Sequence, residues 1–377
     1  MQGTTIMGLG LLLVILAALI TLARRGKVAK TSAIHRPPSA SPSASVRKTM
    51  SVSESQPTSP TASDRGPVPP TLAAFTLLQS DTLPAQTLAE LAPLASSLGQ
   101  PHPLLGRLSS GLDDAESLAE IVRSDPVLSA EVLRRVNSPA FGLSTPIASV
   151  QYALTFLGSN FVRQVVLHAA VAPSVRLETP DQQTAADRLW QASYVASSYA
   201  QLAAQHHGLS RPSVLATQAL LACLGDVVVL AARPDLAPNY LSEATLFERV
   251  DAQQTELGAN AGQLAAWLAQ QWQLPDELIR GLKHSLLPLA LPPEAHPLTG
   301  DALRSNLLAY TAGIVGQRVV RDQLTELASL DLAADPGLDC YYLPAHLEAA
   351  GLGTLLRFHQ NPAVLQKLKP LLNSLLR

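Results

Sequence analysis

The stretch from Leu118 to His168 constrains the fold most, because its helix ends are specified residue by residue. Asp125 followed by Pro126 marks a helix start: a carboxylate accepts the first unpaired N–H groups, and Pro is tolerated at the first helical position. Leu128, Val132 and Val136 recur at four-residue spacing with Leu133 beside them, which gives one apolar face. Asn137-Ser138-Pro139 is expected to end this helix, since Asn tolerates left-handed geometry and the position before Pro disfavours helix. Phe141-Gly142 and Ser144-Thr145-Pro146 read as a turn region. A second helix fits Ser149 to Leu157, with Val150, Ala153, Leu154 and Leu157 inward and Gly158 as its stop. Ser159 is placed to cap a third, carrying Phe161, Val165 and either Leu167 or Val166 to the core.

Further along, the same helical period continues. Thr87 to Leu98 suits a helix, and Thr184 to His206 is a long one carrying Trp190 and Tyr194. Val214 to Ala232 is strongly apolar with Asp226 inside it; a second membrane span is the rival reading, and Gly225-Asp226 at its centre argues for a buried core helix. Glu256 to Gln273 is amphipathic, with Leu264, Trp267 and Leu268 inward, and Pro275-Asp276-Glu277 opens the next helix with acids at its positive end. Later, Arg318 to Leu330, Pro344 to Leu356 and Pro362 to Leu376 read as helices, with a break at Asp335-Pro336-Gly337. No strand-like alternation of any length and no internal repeat is present. With 47% apolar residues and only 4% aromatic, the composition fits helices packed on helices, and the expected class is all-α.

SDPVLSAEVLRRVNSPAFG from Ser124, followed by IASVQYALTFLGSNFVRQVVL from Ile147, closely resembles the start of the HDOD domain, the "HD-related output domain". Asp125-Pro126, Asn137-Ser138 before Phe141-Gly142, and Leu157-Gly158 after the next helix are this sequence's copies of the family's recurrent residues. LWQASYVASSYAQLAA from Leu189, ALLACLGDVVVLAARP from Ala219 and ELGANAGQLAAWLAQQWQLPDELIRGL from Glu256 agree with it. The resemblance covers roughly residues 85 to 315. It implies a multi-helix domain related to the HD phosphohydrolases, over residues 83–315, with a C-terminal helical extension over 316–377 packed on it. The extension either pads the domain or supplies an interaction surface of its own.

The N-terminus carries a separate signal. Ile6 to Ala23 is uncharged and mostly apolar, just long enough to span a bilayer as a helix. Arg24 and Arg25 follow at once, with Lys27 and Lys30 behind them, and nothing basic precedes the segment. The positive-inside rule then places the N-terminus outside and the remainder in the cytoplasm, as a single-pass protein of a bacterial inner membrane. A cleavable signal peptide is the competing reading, but it normally has a basic leading region and a small-residue cleavage motif. Residues 24–75, dense in Ser, Pro and Thr, are expected to form a disordered basic linker, because such a segment buries too little apolar surface to offset its ordering entropy.

Charge bears on partners. Residues 1–50 hold seven Lys or Arg and no acid, leaving 20 basic and 29 acidic side chains in residues 51–377. A domain that acidic is not expected to bind nucleic acid. Cys223 and Cys340 lack CxxC spacing and read as reduced thiols.

The chemistry turns on what stands at two positions. The phosphohydrolase relatives implied by the resemblance gather a His, an adjacent His-Asp pair and a later Asp around metal ions that activate water. This chain has nine histidines and none is followed by Asp. Where the relationship places the pair, the sequence reads Ala222-Cys223, the vestigial pair positions, and GANAGQLAAWL after it carries no His. Asp226, close by, reads as a capping or surface residue. His206-His207 reads as favouring the C-terminal helix dipole, since adjacent helical residues point about 100° apart. His168, His284, His346 and His359 have no companions at ligand spacing. No Walker loop, GxGxxG or GxSxG occurs, and Gly258-Ala259-Asn260 is a turn.

The expectation is therefore a non-enzymatic, membrane-tethered signalling module with no catalytic residue, metal or cofactor, acting by binding an unidentified signalling protein. The candidate interaction and family-signature residues are Asp125, Pro126, Asn137, Ser138, Phe141, Gly142 and Gly158. A structural reading of the same residues has Asp125 cap, Asn137 end a helix, Phe141 fill the core and Gly142 permit the turn. The alternative function is a degenerate HD-type sensor holding a nucleotide or other small molecule in a vestigial pocket around Ala222 and Asp226.

Overall fold

The computed structural model describes residues 66–95, 115–137, 141, 143–158, 177–324 and 327–375. The Ile6–Ala23 span, the linker up to residue 65, Ser138, Gly142, the helix expected after Ser159, and His35, His102 and His168 lie outside the described residues. Among the described residues every regular element is helical and none is a strand, so the protein is all-α. The first helices are α1 (Pro70–Ala74), α2 (Ala85–Ala95), α3 (Ala115–Ser124), α4 (Pro126–Val136) and α5 (Val150–Leu157). The central ones are α6 (Pro180–His206), α7 (Pro212–Leu221), α8 (Leu224–Ala232), α9 (Pro238–Leu241), α10 (Leu246–Leu257) and α11 (Ala261–Gln271). Then come α12 (Asp276–Lys283), α13 (Leu287–Ala290), α14 (Gly300–Arg321), α15 (Leu343–Ala349) and α16 (Pro362–Leu375).

The packed chain begins inside the range given to the linker. Pro70 starts α1, Leu72 is buried, and the Phe75 ring lies 4.8 Å from that of Phe247. The segment that follows is extended and held by side-chain amides. Gln254 accepts from the Leu78 N–H and donates to the Thr76 carbonyl, Asn260 donates to Leu78 O and Gln263 to Ser80 O.

Helix α6 is the spine. Its 27 residues span about 40 Å at 1.5 Å each. A full capping box opens it: the Thr179 hydroxyl accepts from Gln182 N, and the Gln182 side chain accepts from Thr179 N. The N-terminal half of α6, through Ala185, Ala186, Leu189 and Trp190, joins a first core built with α4, α5, α8, α11 and α12. Its C-terminal half, through Val195, Tyr199, Ala200 and Ala203, joins a second core with α14 and the chain after Leu327. Small residues bring α14 in close: a Cβ on Gly316 would run into the Ala192 carbonyl oxygen.

Four expected helices break or end differently. The apolar run over 214–232 is interrupted at Ala222-Cys223, dividing α7 from α8, although both residues keep helical φ values of −59° and −67°. That run is long and apolar enough to cross a membrane, yet it is mostly buried inside the protein, as a core element is. The amphipathic stretch over 256–273 contains a boundary: Gly258, at φ 61°, ends α10, and an Asn260–Gln263 capping box starts α11. Arg318 to Leu330 is not one helix; α14 stops at Arg321, and Gln323 is left-handed at φ 47°. Pro344 to Leu356 likewise ends at Ala349, before the left-handed Gly351, and a 3-10 segment over Gly353–Gln360 follows.

Candidate functional site

The signature turn is assembled by polar side chains acting on backbone. Asp125 is fully buried and its carboxylate accepts the N–H groups of Val127 (2.8 Å) and Leu128 (3.0 Å), with Pro126 at the first helical position. Asn137 ends α4, but not by the left-handed geometry expected of it: φ is −87°. Its amide nitrogen donates to Leu133 O (2.9 Å) and Ile147 O (2.8 Å), and its oxygen accepts from Ile147 N (2.7 Å). One side chain thus pairs with both backbone groups of Ile147, as a strand neighbour would, and closes the loop that carries Phe141. Ser149 then caps α5 by accepting from Tyr152 N, and Gly158 ends it at φ 76°.

Phe141 does not fill the core. It is half-buried, with its ring 6.2 Å from that of Phe156, which in turn lies 6.5 Å from Tyr152. Tyr152 is 58% exposed and Phe156 45%. The ledge borders a groove of about 540 Å³ lined by Ser144, Pro146, Tyr152, Phe156, Arg211 and Pro212. Sequence reasoning missed Tyr152 and Phe156. Their signal was present: once Val150, Ala153, Leu154 and Leu157 face inward, two aromatics four residues apart on the other side must face outward.

The vestigial pair positions line a cavity of about 80 Å³ whose walls include Ser193, Gln218, Ala222, Cys223, Asp226 and Gly262. Cys223 is buried, its thiol donates to Leu220 O at 3.5 Å, and burial pushes its pKa up to about 12. Such a thiol is inert at neutral pH. Asp226 is neither a cap nor a surface residue. It is 6% exposed, and one oxygen accepts from Tyr240 Oη (3.0 Å) and Gln253 Nε2 (2.9 Å). Burial pushes its carboxyl above the ordinary value, against the opposing influence of the Arg249 charge and the two hydrogen bonds. Gln253 also donates to Tyr240 Oη (3.0 Å) and accepts from Ala261 N (2.8 Å), so the triad joins α8, α9, α10 and α11. Tyr240 and Gln253 carried no sequence signal, being separated from Asp226 by 14 and 27 residues.

A metal centre of the HD type does not fit these residues. A methyl group and a buried neutral thiol stand where a His-Asp pair would supply nitrogen and oxygen ligands, and the nearby carboxylate is already bonded. Among the described residues no three of His, Cys, Asp and Glu converge as a ligand set. His207 caps α6, and its ring lies edge-on to His206 (5.1 Å) and tilted against Phe358 (6.0 Å). His346 and His359 are buried against the carbonyls of Leu291 (2.7 Å) and Leu330 (2.6 Å), and burial lowers the pKa of both.

Residues 108–286 match the family model described as "HDOD domain". No curated protein matches the chain. Among solved structures, the chain is similar to the MmoQ response regulator of Methylococcus capsulatus str. Bath, at 23% identity, covering 74% of this chain and 96% of that one, with TM-score 0.47. It is also similar to a virulence factor from Campylobacter jejuni subsp. jejuni, at 15% identity over 79% and 95% of the two chains, TM-score 0.48. An HDOD domain protein with unknown function from Geobacter sulfurreducens is similar at 17% identity over 77% and 96%, TM-score 0.36.

Proposed function

We propose that this protein, whose residues 108–286 match the HDOD domain family model, is a non-catalytic regulatory module that docks a signalling protein at the inner face of a bacterial membrane. The observation that carries the reading is the aromatic ledge of Phe141, Tyr152 and Phe156. Large apolar side chains that project into water beside a groove are what a protein interface buries. Asp125 and Asn137 serve the ledge indirectly, by fixing the backbone on which it stands. In this reading Ile6–Ala23 is an uncleaved anchor and the Ser/Pro-rich linker lets the domain range beneath the bilayer.

Crosslinking capture from intact membranes tests it, with full-length protein beside a Tyr152→Ser, Phe156→Ser double variant. A discrete partner that the wild type retains and the double variant loses, at unchanged thermal stability, supports the ledge. Equal capture by both sinks it. A version lacking residues 1–25 should lose the partner if anchoring matters.

A second reading is favoured by the cavity beside Ala222, Cys223 and Asp226: a small molecule held in the former metal pocket. Ligand-induced thermal stabilisation that Ala222→Leu abolishes would support this sensor over the docking module.

A further inference from the structure

A second cleft, of about 50 Å³, opens between α6, α10 and α14, and four arginines line it: Arg188, Arg249, Arg318 and Arg321. Arg249 is 8% exposed. Its fork donates to Ala244 O (3.2 Å) and Gln317 Oε1 (2.7 Å), but its Nε is buried without a hydrogen-bond partner. Arg188 donates to Leu241 O at 2.9 Å. Arg318 is paired with Asp335 (2.7 Å) and Arg321 with Asp322 (2.6 Å), whereas neither Arg188 nor Arg249 has a carboxylate at ion-pair distance among the described residues. Asp339 is the acid in the lining, and both its oxygens are occupied by the N–H groups of Leu246 (3.1 Å) and Phe247 (2.8 Å). The Tyr240 ring lies 5.4 Å from the Arg249 guanidinium, and the Asp226 charge acts on it from beyond ion-pair distance, but neither supplies an acceptor to Nε. A buried guanidinium with an open donor is costly unless an anion joins it.

We propose that this cleft binds a phosphate group, as the free ion or as the head of a phosphomonoester. Guanidinium groups approach from three helices, and a tetrahedral oxyanion presents oxygens in all those directions, whereas a carboxylate presents two in one plane. The cavity exceeds the space one water needs, about 10–15 Å³. The site does not depend on the aromatic ledge. It shares the walls Leu189, Ala192, Leu246, Ile314 and Gln317 with the Ala222 cavity but none of its arginines, so failure of phosphate to bind would leave both readings as they stand.

The test is thermal unfolding and titration calorimetry of the full-length chain with inorganic phosphate, beside acetate at matched ionic strength. Saturable stabilisation by phosphate but not by acetate is expected. Arg249→Gln and Arg188→Gln should each weaken phosphate at least tenfold, while Arg280→Gln, on an exposed face outside the cleft, should leave it unchanged. If Arg249→Gln fails to fold, the half-exposed Arg188 carries the test. No saturable effect of phosphate, an equal effect of acetate, or full affinity in Arg188→Gln would each overturn the assignment.

Discussion

Asp226 shows how one side chain changes meaning with its surroundings. Its carboxyl is held above its ordinary 3.8 by burial, so the folded state binds its proton more tightly than the unfolded chain does. Between those two pKa values the native protein carries more protons. Asp226 therefore favours the fold most below pH 3.8, and that contribution is lost as pH rises through the folded value. Asn in its place keeps an oxygen for Tyr240 and Gln253 but has no charge to bury. Asp226→Asn is accordingly expected to gain stability relative to the wild type as pH rises above 4, and to match it at the acid end. Urea midpoints from pH 4 to 8 measure this; a difference that does not vary with pH would show that the carboxylate is not penalised.

At the scale of elements, close helix approach does most to fix the geometry, and Gly316 is its sharpest point. A methyl group there meets the Ala192 carbonyl oxygen and, at 3.2 Å, the Ala196 Cβ, both on the spine helix. Backbone cannot swing aside as a flexible side chain can, so Gly316→Ala is expected to cost about 3 kcal/mol, read as a lower urea midpoint. Gly313, one turn earlier, has open space around its Cβ direction, and Gly313→Ala should be neutral or stabilise by up to about 1 kcal/mol. Equal effects at both positions would mean that the close approach to Ala192 does not set the response. The sequence announced the helices whose ends are local: Asp125-Pro126, Ser149, Gly158 and Pro275 all sit where expected. It could not announce the meeting of α14 with α6, because small residues in two distant helices read as composition until the helices are paired. The sites divide the same way. Asp125 acts on its own helix and was legible, whereas the Asp226–Tyr240–Gln253 triad and the arginine cleft are made only by tertiary contact.

For the whole molecule, the two cores share α6, and this makes the last part of the chain more than an appendage. The family match ends at residue 286, yet Leu343, Leu347, Leu352, Leu355, Leu356, Phe358, Val364, Leu368 and Leu372 are all buried in the second core. Phe358 sits edge-on to Tyr199 at 5.5 Å, in the C-terminal half of the spine. Nine such side chains stabilise by about 1.5–3 kcal/mol each on burial, a total at least comparable to the roughly 5–15 kcal/mol net stability of a typical domain. Deleting residues 343–377 would also uncover Val315, Val319 and Tyr199, so the loss would spread along α6 into the first core. The truncated chain is expected to lose its cooperative thermal transition altogether and to be cut rapidly by protease throughout α14. A truncated protein that still unfolds in one sharp step, within a few degrees of the full chain, would instead mean that the first core and α6 stand alone. The proposed surfaces on α5 and in the arginine cleft would then have independent foundations, whereas a joint loss would make both outcomes of one folding event.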